Sequence, residues 1–253
     1  MQTVRGEVYI GTMKTMSKEW TLTLRRDGGP ESISLGDQVY EYLSEQIIRG
    51  IIQYGDRLNI KTMAAELNVS PMPIRDALKR LEMEKIVIIK PRSTCYVRVP
   101  TKTITLEAVE ARRMLEVFAV QEVYSHVTAE ELSNLKSILD EMGRLVRRTV
   151  GMCTRAAIEE YIEEDRRFHT EICALARNEY INRFYRETSM HLNMSFRYGV
   201  GVCHGIEATY RDHQEICRYL SENSEKAVHV IEAHLLQSKQ NILNEPTFQM
   251  IED

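Results

Sequence analysis

The 253-residue chain has five cysteines, six prolines, one tryptophan and no long apolar run. Cys95, Cys153, Cys173, Cys203 and Cys217 are scattered and odd in number, and none forms a C-x-x-C pair. That pattern excludes a disulfide framework and a cysteine zinc site, and it fits a reducing, cytoplasmic setting. No stretch reaches the length of a membrane span, and the first residues lack the charged-then-apolar pattern of a secretory signal. No internal repeat or low-complexity tract appears. Neither H-E-x-x-H nor a histidine preceded at E-x-x-H spacing occurs. What remains is 43% hydrophobic and 28% charged, enough for a soluble chain with a substantial core.

The net charge of −4 is unevenly spread. Residues 34–100 hold ten basic and eight acidic side chains, and residues 101–253 hold 18 against 25. Within 71–98 the count is seven basic against three acidic. Positive charge is thus concentrated where a polyanion would be met.

Hydrophobic spacing divides the chain. Residues 1–33 have no sustained period, contain "RRDGGPES" and read as a flexible arm. From Leu35, the residues Val39, Leu43, Ile47 and Ile51 recur every four positions, which predicts an amphipathic helix. Asn59 is placed to cap a short second helix. Ser70 followed by Pro71 predicts the start of a third, with the serine hydroxyl accepting an unpaired amide and proline at the first position. "IVIIK" and "CYVRV" flank "PRST" as a two-stranded hairpin. After a linker at 100–104, helices are expected near 105–126, 129–149, 155–176, 179–199, 206–222 and 224–243, with a tail from 246. Thr128 and Glu131 have the form of a capping box. The expected fold is mainly α: an N-terminal winged helix-turn-helix over 34–99 and an antiparallel bundle of six to seven helices over 105–245.

In a winged helix-turn-helix the second helix of the pair enters the major groove. Its exposed positions here are Met72, Arg75, Asp76, Lys79 and Arg80. Arginine suits bidentate contact with guanine, so Arg75 is the candidate for base readout. Lys79, Arg80 and Arg92 are candidates for phosphate. A solvated charged helix face is the competing reading.

The stretch "GDRLNIKTMAAELNVSPMPIRDALKRLEMEKIVIIKP" resembles the DNA-binding domain of GntR-type transcription regulators. Val69, Ser70, Pro73, Ile74, Arg75, Asp76, Ala77 and Leu78 match its core pattern in order. The resemblance implies binding, as a homodimer, to operator DNA with an inverted repeat, and it includes Ser70 among the contacts. Two positions depart from the pattern. Pro71 stands where an arginine usually follows the serine, and the wing tip lacks glycine.

"EEDRRFHTE" sets Asp165 and His169 one helical turn apart, and "YRDHQEI" and "IEAHLLQ" place His213 and His234 on the last two helices. Histidine with carboxylate suits zinc, nickel, manganese or iron, and bundles build metal sites from facing helices. Spacing alone favours a polar stripe and packed histidines over a metal site. Residues 105–243 resemble the FCD effector domain of the FadR subfamily, through "EARRMLE", "DRRFHTEICALARNEYI", "DHQEICRYL" and "AVHVIEAHL". That resemblance implies a divalent metal, zinc first with nickel or manganese as alternatives, on Asp165, His169, His213 and His234. It also implies a small carboxylate effector. Arg112, in the R-x-x-L-E pattern with Leu115 and Glu116, either meets that carboxylate or forms a salt bridge with Glu116. The function implied is a ligand-responsive regulator, a repressor by the commoner mode. The alternatives are a metal-dependent enzyme with an appended DNA-binding module, and a metal-free regulator of the same fold.

Overall fold

The computed structural model describes residues 34–90, 94–149, 154–198 and 205–244. The expected arm at 1–33, the tip of the wing with Arg92, and the tail from 246 lie outside the described residues. Contacts divide the chain into two units. One takes the residues to Gln46 and Ile52–Arg98, and the other takes Ile47–Ile51 and everything from Val99.

In the first unit, helix α1 spans Leu35–Ile48, α2 Ile60–Glu66 and α3 Pro71–Met83. Helix α1 stops near Gly50, whose φ of +68° suits glycine. Val39 and Leu43 are buried, but Leu35 and Ile51 are exposed because they lie at or beyond the helix ends. Asn59 caps α2 as expected, its Oδ1 accepting from the Lys61 and Thr62 amides. Asn68 turns the chain between α2 and α3 at a φ of 52°, a conformation asparagine tolerates. Ser70 makes no side-chain capping bond, contrary to expectation. Pro73 has no N–H, so of the two amides a serine cap can meet, at the second and third positions, only that of Met72 remains.

The hairpin gains a strand. Strands β1 (Arg57–Leu58), β2 (Val87–Lys90) and β3 (Thr94–Val97) form an antiparallel sheet in the order β1-β3-β2. Arg57 pairs with Tyr96 and Leu58 with Cys95. Ile74, Leu78 and Leu81 on the inner face of α3 are fully buried, as are Ile86 and Val87 at the start of the sheet.

The second unit holds α4 (Lys102–Val123), α5 (Ala129–Thr149), α6 (Arg155–Leu175), α7 (Glu179–Tyr198), α8 (Ile206–Ser221) and α9 (Lys226–Leu243). Helix α4 begins earlier than its apolar period because Thr101 caps it, accepting from the Ile104 amide. The capping box forms at α5: the Thr128 amide donates to Glu131 and the Glu131 amide donates to Thr128 Oγ1. The main core draws on α4, α5, α6, α8 and α9, with Val120, Leu135, Met142, Phe168, Ile216 and Leu235 at its centre. Helix α7 closes another side. Its Leu192 packs with Ala108, Val109 and Ile242, and its Ile181 and Tyr185 pack with Cys173. This arrangement turns the inner faces of α4, α6, α8 and α9 toward a shared interior.

Candidate functional site

That interior is polar at one level. His169, His213 and His234 come from α6, α8 and α9, are all buried, and offer nitrogen atoms within 4.8 Å of one another. His169 Nε2 and His213 Nε2 are 3.1 Å apart. Asp165 Oδ1 lies 3.9 Å from His169 Nε2 and 3.7 Å from His213 Nε2, with 18% of the aspartate side chain exposed. The four sequence-predicted residues therefore meet, the histidines tightly and Asp165 at their edge.

The rings are not free to choose which nitrogen faces inward. Glu116 Oε2 holds His169 Nδ1 at 2.6 Å, and Asp212 Oδ2 holds His234 Nδ1 at 3.2 Å. Each carboxylate accepts the Nδ1–H and leaves Nε2 as the inward lone pair. His213 has no such support. Its Nδ1 is buried without a partner among the described residues, and its ring stacks on Phe168 with centroids 4.4 Å apart.

Electrostatics match this placement. Burial holds His169 well below its ordinary pKa, reinforced by the charge of Arg112. Burial also lowers His213, with His234 and His169 adding to the effect. Neutral imidazoles with lone pairs converging are what a cation needs. Burial raises Asp165 and Glu116, while the Arg112 charge opposes both shifts.

The donor set fits a borderline divalent ion. With metal–nitrogen distances near ~2.0–2.1 Å, ligand nitrogens of a tetrahedral ion sit roughly 3.3 Å apart and those of an octahedral one roughly 2.9 Å. The observed 3.1 Å lies between these. The residues that would hold the ion are His169, His213, His234 and Asp165.

Both readings of Arg112 find a counterpart. Its Nε donates to Glu116 Oε1 in a buried salt bridge, while its Nη2 is buried with no partner among the described residues. An unpaired buried guanidinium nitrogen bears the full desolvation cost of that group, which an anion placed beside it would offset. Asn193 on α7 is also buried, with Nδ2 unpartnered among the described residues.

Sequence alone does not mark Glu116 and Asp212 as ring-orienting groups. Glu116 is visible only as the last position of R-x-x-L-E. Asp212 directly precedes His213 yet serves His234, because neighbours on a helix diverge by about 100°.

In the first unit, Met72, Arg75 and Lys79 are exposed along one face of α3, beside a groove lined by Ser70, Asp37 and Tyr40. Arg80 differs. Its guanidinium lies 3.6 Å from the centroid of the Tyr40 ring, its Nε donates to Glu84 at 3.2 Å, and its Nη1 donates to Asp37 at 3.4 Å. Tyr40 Oη also donates to Glu84. Arg80 thus ties α3 to α1, an internal role beside the phosphate role expected of it. No helix among the described residues is long and apolar enough to cross a membrane.

Comparison with known proteins places both units. Residues 35–97 match the bacterial regulatory proteins of the gntR family, and residues 107–237 match the FCD domain. The chain is 27% identical over 144 residues to the Nta operon transcriptional regulator of Aminobacter aminovorans, covering 56% of this chain and 63% of that protein. It is 32% identical over 109 residues to the gluconate operon transcriptional repressor of Bacillus subtilis, 43% of this chain and 44% of the relative. These alignments therefore span less than two thirds of either relative. A crystal structure of a GntR transcriptional regulator from Rhodococcus sp. RHA1 shares the fold, with a TM-score of 0.70 at 23% identity over 83% of this chain and 98% of that one. The matched families and relatives are transcription regulators and not enzymes, and the chain belongs to the gntR family of bacterial regulatory proteins, in the FadR-type branch with an FCD domain.

Proposed function

We propose that this chain is a cytoplasmic, metal-dependent repressor whose affinity for operator DNA is changed by a small organic acid. The observation that carries the reading is the triad of buried histidines beside an arginine nitrogen that is buried and unpaired. His169, His213, His234 and Asp165 hold a divalent ion, with zinc the first candidate. The ion supplies a Lewis-acidic site for a carboxylate. Arg112 Nη2 would pair with an oxygen of that carboxylate. The gluconate named for the Bacillus subtilis relative makes a sugar acid the first probe.

On the DNA-binding unit, Arg75 reads a base edge, and Ser70, Met72, Lys79 and Arg92 contact the duplex around it. Two copies related by a two-fold axis read an inverted repeat. Helices α4 and α7 support the homodimer. Leu115 packs against Ile181 and Tyr185, which brings the exposed Met114 and Phe118 to the level of the exposed Tyr180 and Phe184. An acid acts on DNA only through unequal affinity for two arrangements of the dimer.

Metal analysis of purified protein tests the central claim. Wild type should carry about one ion per chain, and the double variant His213→Ala/His234→Ala should carry none while keeping its helical circular dichroism. Equal metal content in both would leave the metal-free regulator as the correct reading.

A further inference from the structure

Glu116 is buried between the Arg112 guanidinium and the His169 imidazole, and its two oxygens do different work. Oε1 accepts from Arg112 Nε, and Oε2 faces His169 Nδ1 at 2.6 Å. All three side chains are at least nine-tenths buried, so water does not substitute for either bond. A carboxylate can accept on both sides at once. An amide of the same shape cannot, because one of its two ends is a donor.

We infer that Glu116 is a positioning residue for the metal site, and that Arg112 acts on the metal through it. Arg112 fixes the carboxylate, the carboxylate fixes the Nδ1–H form of His169, and His169 Nε2 is thereby held toward His213 Nε2 and Asp165 Oδ1. The inference rests on the metal reading above. It adds that the arginine assigned to the acid also supports the ion, using a different nitrogen: Nε for Glu116, with Nη2 left over. One guanidinium therefore serves both ligands.

Zinc alone tests this, by competition with a chromophoric chelator and no acid present. Two effects of Arg112 on zinc have opposite signs. As a bare positive charge beside a dication, Arg112 weakens zinc binding, and its removal would tighten it. As the anchor of Glu116 it strengthens binding, and its removal loosens it. Arg112→Met keeps the apolar stem and removes the guanidinium. The expected result is zinc binding several-fold weaker, and about 10–100-fold weaker for Glu116→Gln, the usual loss for an outer-shell partner. Nitrogen-15 chemical shifts of the His169 ring give a second readout. They should show the Nδ1–H form in wild type and a mixture of the two tautomers in Arg112→Met. Unchanged or tighter zinc binding by Arg112→Met overturns the inference while leaving the metal site intact. Absence of zinc binding by wild type instead removes the underlying reading. Should Glu116→Gln fail to fold, the Arg112→Met result decides the matter alone.

Discussion

Arg80→Ala separates an internal tie from a DNA contact. The guanidinium over Tyr40, at 3.6 Å, contributes about 0.5–1 kcal/mol at a part-exposed position. The bond to Glu84 goes to a carboxylate only 10% exposed, but Arg80 itself is 40% exposed. Solvent screening reduces that contribution to about 1 kcal/mol. The Asp37 pair is open on both sides and adds about 0–0.5 kcal/mol. The sum is roughly 2 kcal/mol of lost anchoring between α1 and α3, about a 30-fold change in a local opening equilibrium. Hydrogen exchange on the whole chain, followed by mass spectrometry, reads this directly. Amides of α1 and α3 that exchange through that opening should exchange about 30-fold faster, and those of α5, α6 and α8 should be unchanged. Salt titration of duplex binding provides the contrast, because each lost phosphate contact lowers the slope by about 0.9. Unaltered exchange in α1 and α3, together with a slope reduced as much as by Lys79→Ala, would refute the assignment of Arg80 as the tie between α1 and α3.

Other expectations concern separate sites. Arg75→Ala should cost about 1–3 kcal/mol for a duplex chosen by in vitro selection and relax the preference at one base pair. Equal selectivity in gel retardation would remove Arg75 from base readout. Gly143 sits inside α5, where an added Cβ would come within 2.5 Å of Tyr210 Oη. Gly143→Leu should therefore lower the melting temperature despite leucine's better helix propensity, while Gly143→Leu with Tyr210→Phe should recover part of the loss. Burial holds His169 and His213 below their ordinary pKa. A depressed pKa means that protons compete with metal only at more acidic pH. On the proposed metal site, zinc should accordingly stay bound at pH 7 and be released as the pH falls well below 6.5, which a chelator-release assay follows. Release already under way at pH 7 would contradict the placement of these rings.

Much of this molecule could be read from its residues, and the unread parts share a cause. The Ser-x-x-Pro start of α3 and the four-residue apolar spacing of α1 are local signals, and both elements formed. Strand β1 was invisible because two residues carry no period, and its existence depends on Tyr96 and Cys95 nearly forty positions away. Family resemblance picked out His169, His213 and His234, which the structure brings together. The carboxylates behind them could not be assigned, since Glu116 meets His169 across 53 positions and Asp212 meets His234 across 22. The weak Ser70 cap was legible in principle: a proline at the third helical position removes one of the two amides that the hydroxyl could meet.

That proline pair has a wider effect. A helix start normally presents four unpaired amides, and here only those of Ser70 and Met72 exist. The end of α3 consequently offers an approaching phosphate half the usual main-chain grip, leaving a hydroxyl unspent beside it. With α3 in the groove as proposed, adhesion at this tip falls to side chains, which single substitutions can alter without disturbing the helix itself. Its target preference is accordingly more open to revision than one anchored through backbone amides.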